Sequence, residues 1–215
     1  QLYSASFEME RFMAVREAKY IQNAQGNIKK VGELGGQVLP FVRDPQRVAL
    51  VKKTIADTET YVTLLQDLEK DLMTWRAQYV NVILPDLDVV QDTTAAIGRQ
   101  AGGTQNVQIL SRINAAWLGV SELTGLITEF AAAATQENAK KTDDMLATLR
   151  KAVEDLAPVM VSEAARRDYT AYLQAFENVE KTYNSQKSYA LAARQLVDKS
   201  YTMDDALGRS ISELN

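Results

Sequence analysis

The 215-residue chain contains no cysteine and no histidine. The lack of histidine excludes Ser-His-Asp and Cys-His nucleophile systems. Together the two absences exclude zinc sites built from these residues and the Glu-x-x-His motifs of di-iron bundles. No other catalytic group of carboxylates, lysines or tyrosines stands out. We therefore expect a protein that is not an enzyme and that carries no metal or cofactor.

Basic clusters and long apolar runs are also missing. The net charge is −4 and no block of lysine and arginine occurs, so we expect no nucleic-acid partner, since phosphate binding needs clustered cations. No run approaches the roughly 18 apolar residues of a membrane-spanning helix. Any membrane attachment would then have to come from segments outside this sequence.

Glycine and proline are scarce, at 10 and 4 residues, while good helix formers dominate. The sequence therefore predicts an all-α fold, with long helices over about 45–100 and 163–215. Asp44 before Pro45 and Ser162 before Glu163 are typical helix starts. Pro85 should interrupt the first long helix. Breaks are expected at "NAQGN" (23–27), "LPFVRDP" (39–45), "AGGT" (101–104), "ATQEN" (134–138) and "APVMVSE" (157–163).

The two halves of the chain look alike. "QGNIKK" (25–30) resembles "QENAKK" (136–141), and each is followed by an amphipathic stretch and a proline. This pattern predicts an internal duplication divided at Gly102-Gly103. A helix of about 50 residues is about 75 Å long, so we expect an elongated rod of two stacked four-helix bundle modules. The expected modules are 1–25, 75–134 and 190–215 for one, and 28–74 and 138–189 for the other.

The helical patterns run to both ends of the sequence without convincing caps. We therefore expect a domain of a longer protein, for example one that lies between two transmembrane helices.

The first helical pattern places an arginine on a mainly apolar face. Leu2, Ser6, Met9, Met13, Arg16 and Tyr20 fall on one side of the predicted helix. Arg16 on that stripe has three interpretations: a salt bridge to a neighbouring helix, a position at a dimer seam or at water, or an anion-binding role.

A second polar group lies on the predicted helix over 105–134. Its apolar stripe is flanked by Asn114, Trp117, Ser121, Thr124 and Thr128. Hydroxyls around one indole are typical of a pocket for a small polar ligand. The alternative is a solvated face whose hydroxyls bond back to their own helix.

With two long and four short helices in duplicated four-helix modules, the chain resembles the helical bimodular sensor domain of bacterial chemoreceptors and some sensor kinases. "VREAKYI" (15–21) and "QAFENVEKTY" (174–183) have the look of that family. The resemblance implies a periplasmic domain of an inner-membrane receptor that binds organic acids through arginines of the membrane-proximal module. Of these arginines only Arg16 carries over.

The other arginine positions of the family are replaced here. Thr124 and Thr128 stand about where arginines are expected, and Tyr201 takes another such position in the last helix. The resemblance therefore implies a monocarboxylate or an aromatic acid instead of a tightly held dicarboxylate. The candidate ligand site consists of Arg16, Met13, Tyr20, Trp117, Ser121, Thr124, Thr128 and Tyr201.

A second apolar group on the first helix, Phe12, Val15 and Ala18, predicts a homodimer, since a helix apolar on two sides must bury both. The sequence thus predicts the ligand-binding domain of a chemoreceptor that transmits a helix shift across the membrane. The alternatives are the sensor domain of a histidine kinase, which reads a ligand or a periplasmic binding protein, and a helical scaffold rod without a small ligand.

Overall fold

The computed structural model describes residues 1–101 and 107–214. Within these ranges the chain forms helices and turns and no strand, which confirms the predicted all-α fold. The helices are α1 (Leu2–Val15), α2 (Ala18–Val38), α3 (Pro45–Gln78), α4 (Leu84–Ala101), α5 (Val107–Ala132), α6 (Gln136–Glu154) and α7 (Glu163–Leu214).

The two predicted long helices are both present. α7 has 52 residues, and α3 continues into α4 through a π-helical turn, Tyr79–Ile83. This turn lies directly before Pro85, where an interruption was predicted. Proline has no N–H for the carbonyl one turn earlier and its ring crowds that carbonyl, and a π turn is a common place for a helix to absorb such a defect.

Three predicted breaks, at 39–45, 134–138 and 157–163, are confirmed, and so are the predicted helix starts at Asp44 and Ser162. The breaks at 39–45 and 157–163 contain 3₁₀ turns, Leu39–Phe41 and Ala157–Val159. Each helix start after a confirmed break is capped by a side-chain oxygen that accepts a backbone N–H: Asp44 from Arg47 at 2.8 Å, Thr135 from Asn138 at 3.1 Å and Ser162 from Ala165 at 3.1 Å. The predicted Gly102-Gly103 division lies outside the described residues.

The predicted break at 23–27 is wrong. α2 runs through these residues, and the first helix ends earlier, at Arg16. Phe12 and Ile21 explain the difference: both are fully buried, yet residues nine apart lie on opposite sides of one helix at about 100° per residue. A reversal of the chain between them brings both into the same core.

The expected equivalence of "QGNIKK" and "QENAKK" is also wrong, because the first lies within α2 and the second begins α6. A different correspondence is visible in the order of elements. α2 and α6 begin at Ala18 and Gln136, and α3 and α7 begin at Pro45 and Glu163, so that both pairs are 118 residues apart. In each half, two short helices, a proline-containing 3₁₀ turn and a long helix follow one another.

The chain divides into two compact units. Unit 1 contains residues 1–73 and α7 from Ala192 onward, and unit 2 contains residues 74–191. This grouping corrects the expected modules, which separated 28–74 from 1–25 and α5 from α6. The reason is the reversal at Arg16: α2 folds back along α1 instead of continuing away from it.

Unit 1 is an antiparallel bundle of α1, α2, α3 and the C-terminal part of α7. Asn23 of α2 donates to Glu8 of α1 at 3.5 Å, and Gln25 donates to Glu69 of α3 at 3.0 Å. Ser6 of α1 donates to Asp204 of α7 at 2.6 Å. The core is built mainly from Met9, Phe12, Ile21, Ile28, Tyr61, Leu65, Leu68, Val197 and Leu207.

Unit 2 is a bundle of α4, α5, α6 and the N-terminal part of α7. Its centre is an aromatic cluster in which Phe130 meets Trp75 and Tyr183 edge-on, with ring centroids 5.3 and 5.4 Å apart. The predicted apolar stripe of α5 is confirmed, since its members from Ile113 to Phe130 are buried. Burial raises the pKa of the Tyr183 phenol to about 12, and this hydroxyl donates to the Ala139 carbonyl at 3.3 Å.

Candidate functional site

The predicted ligand residues are divided between the two units. Met13, Arg16, Tyr20 and Tyr201 belong to unit 1, whereas Trp117, Ser121, Thr124 and Thr128 belong to unit 2. We therefore describe the two groups separately.

The prediction that Arg16 lies on a helix face between Met13 and Tyr20 is wrong, because Arg16 lies outside the helix. It is the C-terminal cap of α1, with φ 60° and ψ 33°, and its N–H donates to the Phe12 carbonyl at 2.7 Å. It is the one residue other than glycine with positive φ among the described residues. Its half-buried side chain contacts Met13, with Nη1 3.4 Å from the sulfur. A cation at a helix C-terminus also interacts favourably with the helix dipole.

Tyr20 lies on the other side of the turn, between two cations. The Arg11 guanidinium lies 4.2 Å from the Tyr20 ring centroid and donates to its hydroxyl at 2.9 Å. Lys19 Nζ lies 4.8 Å from the same ring and pairs with Glu17. The hydrogen bond that Lys19 donates to the Glu17 carboxylate raises the pKa of Lys19. Three cations, Arg11, Arg16 and Lys19, therefore occur around this turn, and two acids, Glu8 and Glu17, partly neutralise them.

The threonine hydroxyls on the polar face of α5 bond back to their own helix, which is the alternative to a ligand pocket. The Thr124 hydroxyl donates to the Val120 carbonyl at 2.9 Å and accepts from Gln91 of α4 at 3.0 Å. The Thr128 hydroxyl donates to the Thr124 carbonyl at 2.8 Å. Trp117 is half exposed and Ser121 is exposed. The Thr124 and Thr128 hydroxyls are thus used by their own bundle.

Tyr201 is also half exposed, but its neighbours on α7 form a polar group inside unit 1 that the sequence did not reveal. Ser200 is buried and donates its hydroxyl to the Val197 carbonyl at 2.7 Å. Tyr61 of α3 is buried as well, and burial is the chief cause that raises its pKa. Burial also raises the pKa of Asp204, an effect opposed by the hydrogen bond from Ser6. The only sequence signal for this group was the serine on the apolar stripe of α1.

The cavities of unit 1 lie away from the predicted residues. One, of about 400 Å³, is mainly apolar and is lined by residues from all four helices of the unit, including Leu2, Leu34, Val51 and Ile211. Another, of about 410 Å³, lies between α2 and α3 and carries Lys29, Glu33 and Glu59. Neither cavity was predicted from the sequence, because helical periodicity separates buried from exposed faces but does not show where two helices leave a gap.

One of the three residues predicted to face a dimer partner is buried within unit 1. Phe12 is fully buried in the core of unit 1, while Val15 remains partly exposed. The exposed aromatic residues of α1 are instead Tyr3 and Phe7. Of this group only Phe12 is fully used within the unit, while Val15 and Ala18 keep part of their surface exposed.

No protein-family model matches the chain, and no curated protein matches it at a significant level. Among residues 1–101 and 107–214, no helix is both long enough and apolar enough to cross a bilayer. The same part of the chain brings no three acidic side chains together as a potential metal site. What the chain does must therefore be inferred from the order of its helices and from the groups described above.

Proposed function

We propose that this chain is the extracytoplasmic ligand-sensing domain of a bacterial transmembrane chemoreceptor of the helical bimodular type. The observation that supports this proposal is the order of helices. The described residues contain four short helices and two long ones, and both long helices contribute to each of two four-helix units. This is the architecture that the resemblance of the sequence implies.

The ligand we propose is a small organic acid bound at the turn between α1 and α2. The planar guanidinium of Arg16 suits a carboxylate, and Arg11 and Lys19 add positive charge nearby. Met13 offers apolar surface beside that charge, and the Tyr20 ring, which is largely buried, lies next to Arg11. A ligand with one carboxylate and an apolar or aromatic body matches this combination.

The signal would be a shift in the population of two helix arrangements. α1 and α7 are antiparallel neighbours in unit 1, joined by the hydrogen bond from Ser6 to Asp204. A ligand that binds one arrangement better shifts the equilibrium toward it, and displacements of about 1–2 Å are usual for such helix shifts. In the full receptor, which we propose is a homodimer in the inner membrane, this shift would be passed on by segments outside this sequence.

A sensor domain of a histidine kinase would have the same architecture, and the downstream sequence would distinguish the two. A scaffold that docks a partner helix is a second candidate. It is favoured by the exposed apolar side chains of α5, among them Trp117 and Leu118, which are 51% and 53% exposed.

A thermal-shift screen of the purified chain against organic, aromatic and amino acids tests the sensor proposal. A ligand that binds the folded state raises the melting temperature by mass action. For an organic acid that does so, we expect Arg16→Ala to abolish the shift while the unliganded melting temperature changes little. Arg43→Ala, which removes an exposed arginine at the turn before α3, is the matched control.

An organic acid whose shift survives Arg16→Ala would remove Arg16 from the site. The absence of any shift across the panel would count against a sensor of small molecules and would favour the scaffold.

A further inference from the structure

A cleft of about 410 Å³ lies on unit 1 between α2 and α3. Its volume falls in the range of small-molecule sites. Lys29 and Glu33 of α2 and Glu59 of α3 form its rim, and Ile55 and Val62 of α3 form its apolar wall. None of these residues belongs to the organic-acid site proposed at Arg16.

The cleft is shaped by a close approach of the two helices at Gly32. A Cβ at this position would lie 2.5 Å from the Thr58 hydroxyl oxygen, well inside van der Waals contact. Thr58 is buried and donates this hydroxyl to the Ile55 carbonyl at 2.6 Å. The back of the cleft is therefore tightly packed and its hydrogen bonds are satisfied, so that recognition of a ligand falls to the rim and the apolar wall.

The rim carries charges of both signs that are not used within the protein. The structure gives the side chains of Lys29, Glu33 and Glu59 no ion pair and no hydrogen bond with any described residue. Some other charged side chains of the same two helices are paired, since Lys53 pairs with Asp57, and Glu69 accepts from Gln22 and Gln25. One unpaired cation and two unpaired carboxylates around an apolar wall form a complementary surface for a molecule that carries both charges.

We propose that this cleft binds a small zwitterion with an apolar body, that is, an apolar α-amino acid. Lys29 would take the ligand carboxylate, Glu33 and Glu59 would take its ammonium group, and Ile55 and Val62 would contact its side chain. The proposal deepens the proposed sensor function, on which it rests, by adding a second ligand class at a second site.

The charges on the rim distinguish a zwitterion from simpler ligands. A carboxylic acid would pair with Lys29 but would be repelled by the two glutamates. An amine would pair with the glutamates and leave Lys29 without a partner. Only a ligand with both groups satisfies the whole rim, and charge-assisted hydrogen bonds are the stronger ones.

Titration calorimetry with L-leucine and two analogues tests the proposal on the full chain. L-Leucinamide lacks the carboxylate, and N-acetyl-L-leucine lacks the ammonium group. We expect L-leucine to bind and each analogue to bind about tenfold more weakly or worse, as loss of one charge-assisted hydrogen bond implies. Equal affinity for all three ligands, or no binding of L-leucine at about 10 mM, would overturn the proposal.

Substitutions on the rim test whether L-leucine binds in the cleft. Lys29→Gln and Glu59→Gln should each weaken L-leucine binding about tenfold. Lys30→Gln and Glu10→Gln remove the same charges from exposed positions outside the cleft and should leave the affinity unchanged. Binding that is insensitive to Lys29→Gln overturns the assignment of the cleft.

The two proposals fail separately. An organic acid that binds through Arg16 while L-leucine does not bind overturns the cleft proposal and leaves the sensor function standing. L-Leucine binding that depends on Lys29 supports the cleft proposal even where no organic acid binds.

Discussion

At the scale of single residues, Arg16 is the position where helical spacing in the sequence predicted the wrong backbone conformation. Its position in a regular series with Met9, Met13 and Tyr20 suggested a charge on a core-facing helix stripe. The structure places it at the point where α1 ends, in the left-handed conformation. For a residue with a Cβ this conformation costs roughly 1–2 kcal/mol, and glycine or asparagine is the usual choice at such a cap. A strained residue that is not glycine is a reasonable place to look for a function.

The backbone of Arg16 can be tested apart from its side chain. Glycine and alanine both remove the guanidinium, but only glycine adopts positive φ without a steric penalty. We expect Arg16→Gly to be more stable than Arg16→Ala by about 1 kcal/mol, which corresponds to roughly 2–4 °C in melting temperature for a chain of this size. Thermal unfolding followed by circular dichroism measures the difference. Equal stability of the two variants would mean that residue 16 is not left-handed in solution.

At the scale of elements, two glycines of α2 lie in different surroundings. Gly26 is within the segment that was expected to break, whereas the structure makes it part of a continuous helix with open space around it. Gly32 lies against Thr58 of α3. The same substitution at the two positions should therefore have opposite effects.

We expect Gly26→Ala to stabilise the protein by up to about 1 kcal/mol, because alanine is the better helix former. Gly32→Ala should destabilise it by about 1–3 kcal/mol through overpacking against the buried Thr58 hydroxyl. Urea unfolding curves compare the two variants with the parent. Thr58→Ala removes the clashing oxygen and should recover much of the loss at Gly32, as a double-mutant cycle would show. A destabilising Gly26→Ala would instead restore the predicted break at 23–27.

Most helices could be predicted because their signals are local. Asp44 and Ser162 cap the helices that were expected to start there, and the apolar stripe of α5 is continuous in phase from Ile113 to Phe130. The turn at Arg16 was missed because neither glycine nor proline marks it. The signal that could have shown the turn is a change in the phase of the apolar residues along the helix, since Phe12 and Ile21 cannot both face one core from a single helix. The charged cleft could not be predicted, because it depends on which side of α3 meets α2.

At the scale of the whole molecule, the buried core of unit 1 shares no residue with the two buried clusters of unit 2, among the residues that the structure describes. Ile28 lies in the core of unit 1 and Leu123 in that of unit 2, and both are fully buried. The predicted modules failed at this scale, because one early reversal of the chain decides which helices pack together. It places α2 beside α1 in unit 1, and α5 and α6 then pack together in unit 2.

Separate cores imply that damage to one unit should first appear in that unit. Ile28→Ala removes buried methyl groups, and we expect it to cost about 2–5 kcal/mol. Because local opening depends on the packing of each cooperative unit, amide hydrogen exchange should accelerate mainly in residues 1–73. Leu123→Ala, of the same chemical class, should accelerate exchange mainly in residues 74–191. Mass spectrometry of peptic fragments resolves these ranges. Equal acceleration in both ranges for either variant would show that the two units open as one cooperative body, and a ligand at one unit would then be felt directly by the other.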